Sequence, residues 1–144
     1  MDCKIPLFTI LFCLTVVNSE VLPSGITLQT SSLSLARAYL QSETVKQYAF
    51  FVGGAYGHGN HSGGVYDNLT NAVDIYDSSS KTWSLTTMKS ARVFFGLAGL
   101  KDVLIVAGGM TYGSIDLSGV EIWNVTSKTW STTTLSSSRS GLGM

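Results

Sequence analysis

The stretch of sequence that decides the fold runs from Arg92 to Trp130 and reads RVFFGLAGLKDVLIVAGGMTYGSIDLSGVEIWNVTSKTW. It contains an arginine, an apolar run that ends in the diglycine Gly108-Gly109, a polar loop, an aromatic strand and a Lys-Thr-Trp sequence. An earlier segment has the same order, with Arg37, a diglycine at 53–54 and a second Lys-Thr-Trp sequence. In both copies the arginine lies 16 residues before the first glycine. This fixed spacing indicates a sequence repeat, the mark of a repeat architecture.

The two copies differ in length at one place. Arg92 and Arg139 are 47 residues apart, whereas Arg37 and Arg92 are 55 apart. The 8 extra residues lie between the first diglycine and the strand that begins near Val73. The sequence therefore predicts equivalent units, the first of which carries a long loop at 55–72.

The residue pattern within each unit predicts β-strands. The apolar runs 50–52 and 103–106 are typical of strands that are covered on both faces. In 120–123 the side chains alternate, with Val and Ile on one side and Glu and Trp on the other, which predicts one less deeply covered face. The small residues of 96–99 favour a close approach between backbones.

The units resemble the kelch repeat, in which an arginine or similar residue precedes the first strand, a diglycine ends the second, an aromatic residue lies in the third and a tryptophan lies in the fourth. The resemblance covers residues 37–144. It implies an all-β fold of kelch-type β-propeller blades, each a sheet of four antiparallel strands. The chain then divides into a signal peptide, a leading fourth strand, two complete repeats and the start of a truncated third repeat: residues 1–19, 20–36, 37–84, 85–131 and 132–144.

Residues 1–19 have the pattern of a secretory signal. Lys4 precedes an apolar stretch at 5–17, which is shorter than the about 20 apolar residues that a membrane span needs. Both cysteines, Cys3 and Cys13, lie in this segment, so the mature chain would contain no disulfide. We therefore expect a secreted, extracellular protein with no membrane span after removal of the signal.

The composition excludes some classes of partner and favours β-structure. Nine acidic and nine basic residues cancel, and no cluster of Lys or Arg indicates a nucleic-acid-binding surface. Fifteen glycines, together with many Ser, Thr, β-branched and aromatic residues, favour strands and turns over helices.

The two ends of the chain predict an incomplete ring. Residues 27–37 align without a gap with 129–139, so a lone fourth strand is expected to open the chain. In propellers of the resembled family, such a terminal strand commonly closes the last blade. Two complete blades, one strand and a stub cannot close a ring, and an open propeller exposes strand edges and apolar faces. We therefore expect a fragment, or a subunit that associates with other copies.

One rim of the blades is the predicted binding surface. A four-stranded meander turns at alternating ends, so the segment entering the first strand and the loop after the second strand lie on the same rim. In the resembled family this rim is a frequent binding surface, and a guanidinium group can grip carboxylates bidentately. The predicted residues are Arg37, Arg92, Arg139, Tyr56, His58 and His61. The alternative is that each arginine ties neighbouring blades together through backbone carbonyls.

Two further interpretations of the glycine-rich loop are less favoured. Residues 53–59 suggest a phosphate cradle, but turn residues and a strand follow in place of the required helix, so a turn is expected. His58 and His61, with Asp67 nearby, offer metal-ligand chemistry, but no rigid element fixes their geometry and no mature cysteine is available. Solvated histidines are expected, and neither a metal nor another cofactor is predicted.

Three sequons are candidate N-glycosylation sites. They begin at Asn60, Asn68 and Asn124, and the repeat alignment places all three in loops. The recurrence in register of aromatic residues, Tyr76 with Trp123 and Trp83 with Trp130, predicts packing between blades.

The leading functional hypothesis is a secreted, glycosylated kelch-repeat module that binds an extracellular protein or glycan through the rim. The alternative is the N-terminal part of a secreted carbohydrate oxidase that resembles galactose oxidase. Its copper site would lie in missing sequence, because it needs a tyrosine crosslinked to a cysteine. A third hypothesis is a purely structural cell-surface or matrix component. No acidic residue has a partner at a spacing that indicates acid–base catalysis, so no catalytic residue is predicted.

Overall fold

The computed structural model of the chain describes residues 30–57 and 68–142. The chain divides into two compact regions, Met1–Ser31 and Ser32–Met144. The described strands all lie in the second region. The predicted signal peptide at 1–19 and most of the predicted leading strand lie outside the described residues, so both stay predictions.

Among its described residues, the region Ser32–Met144 contains two four-stranded antiparallel sheets and one short ribbon. The first sheet contains, in spatial order, β1 (Gln41–Val45), β2 (Tyr48–Val52), β3 (Ala72–Asp77) and β4 (Thr82–Thr87). The second sheet contains β5 (Gly96–Leu100), β6 (Val103–Ala107), β9 (Gly119–Asn124) and β10 (Thr129–Thr134). The ribbon pairs β7 (Met110–Thr111) with β8 (Ile115–Asp116) around a 3-10 turn at Tyr112–Ser114. The predicted all-β fold of four-stranded antiparallel blades is confirmed.

The two sheets have equivalent local geometry because equivalent residues close their turns. The Oδ1 atom of Asp77 accepts the amides two and three residues further on, at 2.8 and 3.3 Å, and Oδ1 of Asn124 does the same at 2.9 Å for both. In each turn a lysine follows in the left-handed region, Lys81 at φ 60° and Lys128 at φ 55°. A side-chain oxygen that accepts the backbone amides of its own turn fixes this conformation locally.

The hydrophobic core lies between the two sheets. Phe50 and Val73 of the first sheet pack in one cluster with Leu104, Val106 and Trp123 of the second. Phe50, Val73, Leu104 and Val106 have no exposed area, and burial of each such side chain contributes roughly 1.5–3 kcal/mol. This packing holds the ends of the strands in position.

The predicted burial of the strands is correct for β2 of the first sheet and partly wrong for the second sheet. Residues 49–52 of β2 are all buried, as predicted. In β6 only Leu104 and Val106 are buried, because the face that carries Ile105 is turned away from the first sheet. In β9 the less covered side chain is Ile122 rather than Glu121 or Trp123. Val120 and Glu121 are both buried although they lie on opposite faces, so burial does not alternate along β9, and a buried carboxylate was not expected.

The close approach of β1 to β5 explains why Gly99 has no side chain. A Cβ atom on Gly99 would lie 3.0 Å from the carbonyl oxygen of Thr44 and 3.0 Å from a methyl carbon of Val45, both in β1. The close approach expected for 96–99 is confirmed at this position.

The fourth strand of each sheet extends beyond the residue at which the predicted repeat ends. β4 continues to Thr87 and β10 to Thr134, past the predicted limits at residues 84 and 131, because the tryptophan of each strand lies near its beginning. Residues 30–36, the described part of the predicted leading strand, are not in a strand.

Candidate functional site

The side chain of Arg37 is buried and connects strands of the first sheet. Its side chain has 0% exposed area and forms an ion pair with Asp74, with 2.7 Å between Nη1 and Oδ2. It also donates to the carbonyl oxygens of Gly53 at 2.8 Å, Phe51 at 2.9 Å and Leu35 at 3.2 Å. The guanidinium group thus joins the end of β2 to β3 and to the segment that enters the blade.

Arg92 does the same in the second sheet. Its side chain is 1% exposed, pairs with the buried Glu121 and donates to the carbonyl oxygens of Gly108 at 2.9 Å and Gly119 at 3.1 Å. Burial lowers the pKa of Arg92 from its ordinary value, and the Glu121 carboxylate opposes this effect by stabilising the charged form. Glu121 accepts the backbone amide of Lys89 as well, at 2.6 Å. The negative charge of the buried carboxylate is therefore stabilised by both the guanidinium group and a backbone amide.

The arginine backbones connect consecutive units. The amide of Gly54 donates to the carbonyl oxygen of Arg92 at 3.1 Å, and the amide of Gly109 donates to that of Arg139 at 2.9 Å. Each second glycine of a diglycine thus bonds to the arginine that begins the next unit, while the Arg37 and Arg92 side chains bind the first glycine of their own unit. The expectation that these two side chains grip a partner is corrected, because both guanidinium groups are buried and fully engaged.

Arg139 occupies the same repeat position but has a different environment. It is exposed, and its guanidinium group bonds only locally among the described residues, to Ser136 and Ser137. Arg139 is therefore the one predicted rim arginine whose side chain is accessible in the described part of the chain.

Two aromatic residues stand in strained backbone positions at the start of the blades. Tyr39 and Phe94, each two residues after its arginine, have φ values of 56° and 55°. Their ring centroids lie 6.0 Å apart in an edge-to-face arrangement. Gly141 holds the corresponding position after Arg139, at φ 70°. The sequence reasoning missed this position, although its spacing from the arginine recurs.

The loops that follow the diglycines meet on the same rim. Ala55 pairs with both Ala38 and Leu69, which brings the ends of the long loop beside the segment entering β1. The hydroxyl of Tyr112, in the ribbon loop of the second unit, donates to the carbonyl oxygen of Leu69 at 2.9 Å and accepts its amide at 3.0 Å. These two hydrogen bonds, which we call the Tyr112 clasp, join the loops of the two units.

Exposed aromatic area is concentrated on this rim. Tyr39 is 56% exposed, Tyr112 47% and Tyr56 39%. We call the set Tyr39, Tyr56, Phe94 and Tyr112 the aromatic rim. Of the predicted rim residues, Tyr56 belongs to it, while His58 and His61 lie outside the described residues.

The sequons have different surroundings. Asn68 is exposed beside the long loop, where its carbonyl oxygen accepts the amide of Tyr56 at 2.8 Å. Asn124 is half-buried at the end of β9, and its Oδ1 caps the following turn. Asn60 lies outside the described residues.

The aromatic residues that recur in register form cross-strand pairs and, in the second unit, an inter-sheet contact. Ring centroids are 5.1 Å apart for Tyr76 and Trp83 and 5.2 Å apart for Trp123 and Trp130. Trp130 donates from Nε1 to the hydroxyl of Thr86 in the first sheet, at 3.1 Å. The predicted packing between blades is confirmed for the second pair, whereas Trp83 is 38% exposed.

The part of the chain that the structure describes contains neither a cluster of metal-ligating side chains nor a helix that could cross a membrane. No group of three or more His, Cys, Asp or Glu side chains in 30–57 and 68–142 could hold a metal ion. Within these same ranges, no helix has the length and apolar character needed to cross a bilayer.

Residues 91–134 match a family model that is described as the kelch motif. The matched segment starts immediately before Arg92 and ends at Thr134, the last residue of β10, so it contains the whole second sheet and the ribbon. No curated protein matches the chain.

Proposed function

We propose that this chain, whose kelch motif and antiparallel sheets fit a kelch-repeat protein, is a secreted interaction module that binds its partner through the aromatic rim. Kelch repeat domains are generally interaction modules, and the motif suggests a protein-interaction β-propeller. The proposed partner is an extracellular protein, with an extracellular glycan as the second candidate. The signal pattern at 1–19 supports the extracellular location.

The observation that carries this proposal is the pair of aromatic residues in left-handed backbone positions. A non-glycine residue at positive φ costs roughly 1–2 kcal/mol. Glycine would remove this cost, as it does at position 141. Tyr39 is mostly exposed, so burial of its ring in the core does not offset the cost. Residues that are held in sparsely populated backbone conformations are found preferentially at binding sites and active sites.

Hydrogen bonds hold the described part of the rim in place, which lowers the ordering cost of binding. The Tyr112 clasp fixes one loop against the next, and the buried arginines fix the strand ends below the loops. Exposed tyrosines contribute large contact areas and a hydroxyl for hydrogen bonding, and aromatic residues are enriched in protein interfaces. Preorganised aromatic anchors of this kind favour affinity.

Removal of two rim tyrosines tests the proposal. In a binding screen against arrays of extracellular proteins and of glycans, we expect the double variant Tyr39→Ser, Tyr56→Ser to bind the captured partner at least about tenfold more weakly, as for interface hot spots. The matched control is Leu100→Ser, since Leu100 is 59% exposed and lies at the opposite end of β5. Equal affinity of the double variant and the control would refute the rim assignment.

Secretion and glycosylation give a separate prediction. When the full chain is expressed in a eukaryotic secretory system, we expect it in the medium with an N-terminus at Glu20 and with mass that a peptide-N-glycosidase removes. Asn124→Asp should lose one glycan without loss of folding, because Asp77 caps the equivalent turn in the first unit. Retention of the intact N-terminus inside the cell would contradict the proposed localisation.

A further inference from the structure

A cavity of about 290 Å³ lies between the two sheets. It is near the turns that join β1 to β2, β3 to β4 and β9 to β10, at the end of the blades opposite the aromatic rim. Its size is at the lower end of the roughly 300–1,000 Å³ found for ligand pockets. The cavity therefore fits a ligand of about one ring, and it is independent of the surface proposed above.

The walls of the cavity are partly aromatic. Phe50 and Ile75 line it from the first sheet, and Trp123 and Val125 line it from the second. Tyr48 lies beside Phe50, with 6.3 Å between the ring centroids. Because Phe50 has no exposed area, the rings that a ligand can reach are those of Tyr48 and Trp123, and they favour a ligand with an apolar face.

A row of hydroxyl groups covers another wall. Thr82, Ser84 and Thr86 alternate along β4, so all three side chains project from the same face of the strand. The Thr86 hydroxyl already accepts the indole of Trp130, and that of Thr82 is 2.7 Å from the hydroxyl of Ser80. A hydroxyl has one donor and two acceptor positions, so each retains capacity for a ligand.

Two opposite charges complete the lining. Asp77 belongs to the first unit and Lys128 to the second. The hydrogen bond from the Ser79 amide lowers the pKa of the Asp77 carboxyl from its ordinary value, so this group is charged at neutral pH. Because the two charges cancel, the cavity favours neither a cation nor an anion.

The geometry of this turn does not require the charge of Asp77. Asn124 caps the equivalent turn of the second unit with an uncharged amide, and its hydrogen bonds are as short. An acid is therefore not required at this position by the local fold. Its carboxylate lines the cavity, where it can accept hydrogen bonds from a ligand.

We propose that this inter-sheet cavity binds a single neutral sugar residue. A sugar ring presents an apolar C–H face to the aromatic walls and hydroxyl groups to Ser84, Asp77 and Lys128. An amino acid with an apolar side chain would also match the two charges. Its hydrocarbon would offer no hydrogen bond to the Ser84 hydroxyl, which is unfavourable.

Titration of the full chain with single sugars tests this proposal. The probes are methyl β-D-galactopyranoside, methyl β-D-glucopyranoside, methyl α-D-mannopyranoside and N-acetyl-D-glucosamine, with L-phenylalanine as the competing zwitterion. Binding is measured by saturation-transfer NMR and by tryptophan fluorescence, since Trp123 is in the wall. We expect at least one sugar to bind with a dissociation constant on the order of 1 mM, as expected for so small a ligand.

Matched variants separate this cavity from other surfaces. Ser84→Ala should weaken sugar binding about fivefold and Asp77→Asn about tenfold. Ser131→Ala is the control, because Ser131 pairs with Ile122 as Ser84 pairs with Ile75 but does not line the cavity. Binding of phenylalanine alone, binding of no sugar, or equal affinities of the Ser84 and Ser131 variants would each overturn the proposal. The rim variants should leave sugar binding unchanged, so the two proposals can fail separately.

Discussion

Replacement of Arg92 by alanine is expected to lower the free energy of unfolding by about 3–5 kcal/mol. The side chain is 1% exposed, and its removal leaves the carboxylate of Glu121 buried without its cationic partner. The carbonyl oxygens of Gly108 and Gly119 lose a charged donor at the same time. Typical domains have a total stability of about 5–15 kcal/mol, so this loss is a large fraction of the total.

Urea unfolding followed by tryptophan fluorescence measures this effect, and Arg139→Ala is its control. Arg139 has the same repeat position but an exposed side chain, so its replacement should change stability by less than about 0.5 kcal/mol. The double variant Arg92→Ala, Glu121→Ala should lose less than the two single variants together, because the buried carboxylate is then removed with its partner. Similar losses for Arg92→Ala and Arg139→Ala would show that the buried pair contributes little.

This result bears on how binding at the rim is tested. Substitution of Arg37 or Arg92 would weaken capture of a partner by unfolding the blade, whether or not the arginine touches that partner. Exposed tyrosines of the aromatic rim avoid this ambiguity. A functional test of this surface therefore depends on knowing which of its recurring residues are structural.

The repeat spacing was sufficient to predict the sheets. The distance of 16 residues from arginine to diglycine recurs because each arginine side chain reaches the carbonyl oxygen of the first glycine of its own unit, Arg37 to Gly53 and Arg92 to Gly108. A constant contact requires a constant length of chain between its members. The pattern of strands, turns and units follows from such local constraints, which a single sequence contains.

The role of the arginines could not be derived from spacing alone. Their carboxylate partners, Asp74 and Glu121, lie 37 and 29 residues further along the chain, in the third strand of each sheet. The available signal was an acid that follows a valine at the same position in both units. Exposure and ion pairing depend on how distant strands pack, and the alternation of β9 was compatible with a solvated Glu121.

Two other features could not be predicted from the sequence. The left-handed backbone at Tyr39 and Phe94 opposes the local preference of aromatic residues, so no propensity argument predicts it. The inter-sheet cavity exists because the side chains of two separate units leave a gap where β4 faces the end of β9. Both features result from packing rather than from residue pattern.

A second large loss of stability is expected from a substitution in a diglycine. Replacing Gly53 by alanine should lower the free energy of unfolding by about 2–4 kcal/mol. Gly53 has φ +58°, and a Cβ atom there would lie 2.8 Å from the carbonyl oxygen of Arg92 and 2.9 Å from the ring of Phe95. Phe95 has no exposed area and the Arg92 backbone joins the two units, so neither neighbour can move freely.

Gly141→Ala separates the two causes of this loss. Gly141 has a similar φ of +70°, but no described atom lies within 4 Å of a Cβ atom placed on it. Its replacement should therefore cost only the left-handed strain, about 1 kcal/mol. If urea unfolding gives equal losses for the two variants, the glycine is needed only for its backbone conformation. A larger loss at Gly53 would show that the diglycine also brings the arginine of the next unit within hydrogen-bonding distance, which explains why the two glycines and the arginine recur together.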